Sequence, residues 1–147
     1  MNNHSITLHS PSDFESMKKA GQLASDVLDY LTPFVEPKVT TGFLNDLAHE
    51  YIVSKGATPA PLNYKGFPKS TCISVNHVVC HGIPGDKKLN SGDILNIDVT
   101  VILDGWYGDT SRMFFAGKPS VKAKRLCDIT YPVSYTHLRA HETLRYL

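Results

Sequence analysis

The stretch NIDVTVILDGWYGDTS, Asn96 to Ser111, decides the fold because it reads as a β-hairpin with two carboxylates on one face. Ile94 to Leu103 is β-branched and apolar, Asp104-Gly105 is a two-residue turn signal, and Trp106 to Phe115 resumes a strand pattern. With Asp104-Gly105 as the loop, Leu103 pairs with Trp106, Thr100 with Asp109 and Asp98 with Ser111. Side chains alternate along a strand, so Asp98, Thr100, Asp109 and Ser111 share a face. The two aspartates become diagonal neighbours, with Cβ atoms about 7–8 Å apart or less. Carboxylates at that spacing can reach inward to a pair of divalent ions about 3.5–4 Å apart. One Asp on a hairpin is compatible with a solvated edge. Two on the same face, with no Lys or Arg between them, ask for a counter-charge, because an isolated buried carboxylate is costly.

A second hairpin is predicted over Thr71 to Pro84, TCISVNHVVCHGIP, with Asn76-His77 as its loop. Both residue types tolerate positive φ better than most. In that register Cys72 lies opposite His81, and Gly82 and Pro84 end the strand just beyond the imidazole. A single His on a strand serves as readily for structural hydrogen bonding as for chemistry.

The remaining segments read as scaffold. Ser12 with Glu15 forms a capping box, and Met17, Ala20, Leu23, Ala24, Val27, Leu28 and Leu31 keep helical spacing as far as Pro33. Phe34 to Thr41 is a connector. Thr41 caps a second helix with Leu44, Leu47, Ala48, Tyr51 and Ile52 on one face, closed by Gly56. His49 falls off that stripe and is assigned to the surface. Residues 57–63 lead into the hairpin at Thr71 to Pro84, and Asp86-Lys87-Lys88 is a polar loop before the Asp98 hairpin. Lys118, Lys122, Lys124 and Arg125 form a short basic run, read as a solvated helix face. Two helices followed by two hairpins give an α+β class, with helices covering one face of an antiparallel sheet.

Composition agrees with one ordinary globular domain: 147 residues, 41% hydrophobic and 20% charged. A net charge of +1 lacks the basic field of a nucleic-acid binder, so no nucleic-acid partner is predicted. The three cysteines are odd in number, which argues against a disulfide framework and for a reducing compartment. No signal peptide and no membrane span are expected, since no stretch approaches about 20 apolar residues.

The segments YKGFPKSTCISVNHVVCHGIP and SGDILNIDVTVILDGWYGDTSRMFFAGKP resemble the first half of a type I methionine aminopeptidase, and the likeness runs from about Ser12 to Thr130. The resemblance implies the N-terminal half of the pita-bread fold and removal of the initiator methionine from nascent proteins by dinuclear metal-assisted hydrolysis. It further implies that Asp98 chelates one metal, that Asp109 bridges two, and that His81 contacts the substrate and assists at the scissile amide. Tyr64, Phe67 and Cys72 match positions lining the pocket for the methionine side chain. Phe67 departs from the tyrosine common there. The cofactors implied are two divalent ions (Co, Mn, Fe or Zn), the partner is the N-terminal Met of nascent polypeptides, and the setting is a cytoplasmic monomer.

The family's other ligands, one His and two Glu, match nothing in this chain. Residues 1–130 are accordingly expected to form a partial catalytic domain. Residues 131–147 (YPVSYTHLRAHETLRYL) do not resemble the family's next helix and look like translated adapter or vector sequence. Their His137, His141 and Glu142 are not taken as replacement ligands. Such a half-domain is expected to be nearly inactive, and to fold poorly alone because its concave face lacks an opposing wall. Two other readings stay open: a related Xaa-Pro metallopeptidase, and a metal-free binding module on the same fold.

Overall fold

The computed structural model describes residues 8–137. Helices α1 (Pro11–Leu31) and α2 (Thr41–Ser54) precede strands β1 (Thr58–Pro59), β2 (Cys72–Val75), β3 (Ile94–Leu103) and β4 (Trp106–Phe115), and helix α3 (Val121–His137) follows. All strand pairs are antiparallel. β3 is central, with β4 along one edge and β1 and β2 sharing the other.

The β3–β4 hairpin has the register the Asp-Gly turn dictates: Leu103 faces Trp106, Thr100 faces Asp109 and Asp98 faces Ser111. Asp104 and Gly105 take φ of 51° and 83°, the two left-handed residues a tight type I′ turn requires. Along β3, Leu95, Ile97, Val99 and Val101 are fully buried, and they pack with Ala24, Val27, Leu28 and Leu31 of α1 and Leu44, Ala48 and Ile52 of α2. Their neighbours in sequence, including Asp98 and Thr100, stay half-buried on the opposite face. The helices therefore cover one side of the sheet and leave the carboxylate face open.

The helix starts differ from expectation by one or two residues. Ser10, not Ser12, caps α1: its N–H donates to the Asp13 carboxylate at 2.7 Å, and Pro11 occupies the first turn, where its missing N–H costs nothing. Met17, placed on the buried stripe, is 44% exposed, because α1 meets the sheet only from Ala20 onward. Thr40 rather than Thr41 caps α2, its Oγ1 accepting from Phe43 N–H at 3.1 Å. Strand β1 lies unannounced within residues 57–63, since two residues carry no periodicity.

The predicted second hairpin is only half formed. Asn76 does turn the chain with φ of 55°, but residues 77–84 form no strand, and Val79 is 93% exposed. Cys72 faces Asp98 across the sheet instead of His81. The Asn-His turn does not impose a register as Asp-Gly does, and Asn76 is engaged elsewhere. Its side chain accepts from Ile94 N–H at 3.1 Å and donates to Asp93 at 2.8 Å, tying the end of β2 to the start of β3.

Asp93 is buried at this junction. Burial pushes its carboxyl up, but hydrogen bonds from the Asn90 backbone and the Asn76 side chain, together with the Lys87 charge, outweigh it, and the net displacement is below the ordinary 3.8. A lowered folded-state value means that Asp93 contributes stability above about pH 4, and that this contribution is lost as pH falls through the lowered value. Asp93→Asn is expected to flatten the acid limb of stability against pH. Urea midpoints between pH 2 and 6 check this, and an unaltered slope would contradict it.

Helix α3 runs through Pro132 and across the expected boundary at residues 130 and 131. It leaves Val121, Leu126, Ile129 and Tyr131 exposed. Lys122, Lys124 and Arg125 form the expected solvated helix face, while Lys118, also exposed, precedes the helix. His141 and Glu142 lie outside the described residues, as does the side chain of His137. No helix among the described residues is long and apolar enough to cross a membrane.

Candidate metal centre

The open face of the hairpin forms the floor of a cleft of about 870 Å³. Tyr64, Phe67, Cys72, His81, Asp98 and Asp109 all line it, so the six residues singled out in the sequence converge on one place. β3 supplies Asp98, β4 supplies Asp109 and β2 supplies Cys72. Tyr64 and Phe67 come from the short helical turn Tyr64–Gly66 and its end, where Asn63 and Lys65 take positive φ of 66° and 48°. His81 enters from the non-strand segment after β2.

The two aspartates are diagonal across the β3–β4 pair, as the register requires. The Asp98 carboxyl is raised above its ordinary value, first by burial and then by the like charge of Asp109, which is also near enough to act as a hydrogen-bond partner. Only the His81 imidazole works in the other direction. Asp109 is exposed and accepts a hydrogen bond from Thr100 Oγ1 at 3.2 Å, which fixes one of its oxygens. Two like-charged carboxylates on the open face, one half-buried and one exposed, with an imidazole as the one favourable influence, form an oxygen-donor set suited to a divalent cation. Among the described residues no group of three or more His, Cys, Asp or Glu converges as a complete ligand shell. The pair thus fits part of a metal site.

Burial pushes the Cys72 thiol up to about 11, with the charges of Asp98, Cys80 and Asp109 adding to the effect. At neutral pH this makes it a neutral, soft contact. Cys72, Cys80 and Cys127 are all free thiols.

Several cleft residues escaped the sequence reading. Tyr107, Lys65, Ile83 and Pro61 also line the cleft. Tyr107 was legible, since the alternation that places Asp109 on the open face places the residue two positions earlier there too. His49, assigned to the surface, is half-buried with Nδ1 2.8 Å from Ser70 Oγ. Beside it the buried Asn45 carbonyl accepts from the backbone N–H groups of Ser70 and Thr71 at 3.0 and 3.1 Å. These contacts pin the strap between Phe67 and Cys72 to α2, and no local pattern announces them.

Comparison with known proteins identifies the family. Residues 15–142 match the profile of metallopeptidase family M24. The chain is 63% identical to a methionine aminopeptidase of Rickettsia prowazekii over 126 residues, covering 86% of this chain and 49% of the relative. It is 53% identical to a methionine aminopeptidase of Escherichia coli over 136 residues, covering 91% of this chain and 52% of the relative. The crystal structure of the Rickettsia prowazekii methionine aminopeptidase superposes with a TM-score of 0.85 at 62% identity, over 87% of this chain and 52% of that one. The chain spans about half the length of the curated relatives it matches. Helices on one face of an antiparallel sheet here constitute part of the pita-bread fold, and the matched profile implies the use of a divalent metal. The chain belongs to metallopeptidase family M24.

Proposed function

We propose that this cleft serves the removal of an N-terminal methionine from polypeptides, with Asp98 and Asp109 holding divalent metal. The observation that carries the reading is the diagonal carboxylate pair on the open hairpin face, with His81 in the same cleft. Asp98 and Asp109 would bind the cation, and Thr100 would orient Asp109 through its hydroxyl. Bound there, divalent ions supply Lewis acidity and an acidified water for amide hydrolysis. His81 would donate a hydrogen bond at the reacting amide, where charge develops. Tyr64, Phe67 and the neutral Cys72 thiol would receive the thioether side chain, a soft apolar group matched to soft and aromatic contacts. Two ions drawn from Mn, Fe, Co or Zn, a cytoplasmic setting and a monomeric whole protein complete the proposal.

The full reaction needs more oxygen and nitrogen donors than two aspartates. The resemblance implies one His and two Glu, so the 147-residue chain by itself is proposed to turn over very slowly, with residues 131–147 contributing nothing to the site. The test offers peptides beginning Met-Ala and Lys-Pro to the chain, and to the product of the longest reading frame containing it, each loaded in turn with Mn²⁺, Co²⁺, Fe²⁺ or Zn²⁺. Release of free methionine by the longer product, and little by the chain alone, is the expected result. Cleavage of the Xaa-Pro peptide instead would move the reading to a proline peptidase. Absence of metal binding in both would leave a binding module.

A further inference from the structure

His81 reaches the cleft from a segment that is not a strand, so something other than a ladder must hold it. Its backbone sits at φ of 52°, in the left-handed region that a non-glycine residue keeps only when its surroundings impose it. The grip falls on the next residue. Gly82 N–H donates to Ser74 Oγ at 3.1 Å, and Gly82 O accepts from Ile73 N–H at 2.9 Å. A Cβ on Gly82 would stand 2.2 Å from the Ile73 carbonyl oxygen, so this segment lies directly on the β2 backbone. Ser74 is 5% exposed and two residues from Cys72, on the same face of the strand, with Asn96 as its partner where Cys72 has Asp98.

We propose that Ser74 is a positioning residue for His81: its buried hydroxyl, by accepting from Gly82 N–H, locks the left-handed turn that aims the imidazole across β2 toward Asp98. The β2 backbone alone fixes Gly82 through its carbonyl and leaves the peptide free to pivot. The hydroxyl supplies the second point of attachment. Because only glycine can lie this close to Ile73, the clamp works on the backbone beside His81 and leaves the imidazole free for substrate. The proposal rests on the reading that His81 acts at the scissile amide.

The test compares Ser74→Ala, Ser74→Thr and His81→Ala in the full chain and in the longer reading-frame product, with melting temperature as the folding control. In the unsubstituted chain the Gly82 amide is expected to exchange with solvent more slowly than that of Val79; equal rates would overturn the clamp before any substitution is made. Ser74→Ala is expected to speed Gly82 exchange tenfold or more and to shift the His81 side-chain resonances. In the longer product it should lower kcat by about ten- to a hundredfold, the cost of a small misplacement, with KM within about twofold. Ser74→Thr, which keeps the hydroxyl, should restore both. Unchanged Gly82 exchange, or unchanged kcat where His81→Ala abolishes turnover, would overturn the proposal. If His81→Ala itself leaves turnover intact, the catalytic reading of His81 fails instead, and the Gly82 exchange and His81 resonances alone decide the clamp.

Discussion

Replacing Asp109 with asparagine is expected to weaken divalent-metal binding by more than about a hundredfold, beyond what loss of a group that merely orients a metal ligand typically costs. The reason is local. Asp109 stands diagonal to Asp98 on the open face, with one oxygen fixed by Thr100 at 3.2 Å, so the shape of the donor survives substitution while its charge does not. An amide also relieves the like-charge repulsion that, after burial, helps to raise the Asp98 carboxyl. Asp109→Asn should therefore bind metal poorly yet fold at least as well as the parent. Calorimetric titration with Mn²⁺ or Co²⁺, paired with a urea midpoint, separates the two effects. Unaltered affinity would show that the cation sits elsewhere, and a large loss of stability would show that Asp109 is a structural residue.

The second large effect concerns the neighbouring residue. Gly108→Ala is expected to destabilise the fold by about 3 kcal/mol or more, at or above the upper end for overpacking. A Cβ at Gly108 would lie 2.0 Å from the carbonyl oxygen of Ala20 and 2.5 Å from the amide nitrogen of Gly21. Both are helix backbone, which cannot swing aside as a side chain can. To admit one methyl group, α1 must lift from β4, and Val27, Leu28 and Leu31 would lose contact with β3. Denaturant unfolding of the two proteins measures the loss. A change below about 0.5 kcal/mol, the level of an ordinary surface substitution, would mean that α1 is not seated on β4 as described.

How much of this was legible in sequence depended on the kind of interaction. The β3–β4 register followed from Asp104-Gly105, because few turns accept two consecutive left-handed residues, and once register is set the shared face of Asp98 and Asp109 is geometry. The core stripes of α1 and α2 were legible for the same reason of periodicity. Reading failed where contacts lie outside a regular ladder or helix face. Asn45 to Ser70 and Thr71, His49 to Ser70, and Ser74 to Gly82 are polar contacts between segments with no shared period. The apolar run Val78-Val79 suggested a returning strand, but Asn76 is committed to Asp93 and Ile94, and the chain crosses β2 at Gly82 instead. His81 thus reached the cleft by a route the hairpin reading did not contain.

The claim on which the rest depends is that a divalent cation binds between β3 and β4 at Asp98 and Asp109. Titrating Mn²⁺ into the ¹⁵N-labelled protein and following paramagnetic broadening tests it directly. The account predicts that the resonances of Asp98, Asp109, Thr100, Cys72 and His81 vanish first. Broadening that begins at exposed carboxylates away from the cleft, such as Asp46 or Asp86, with the hairpin signals intact, would contradict it.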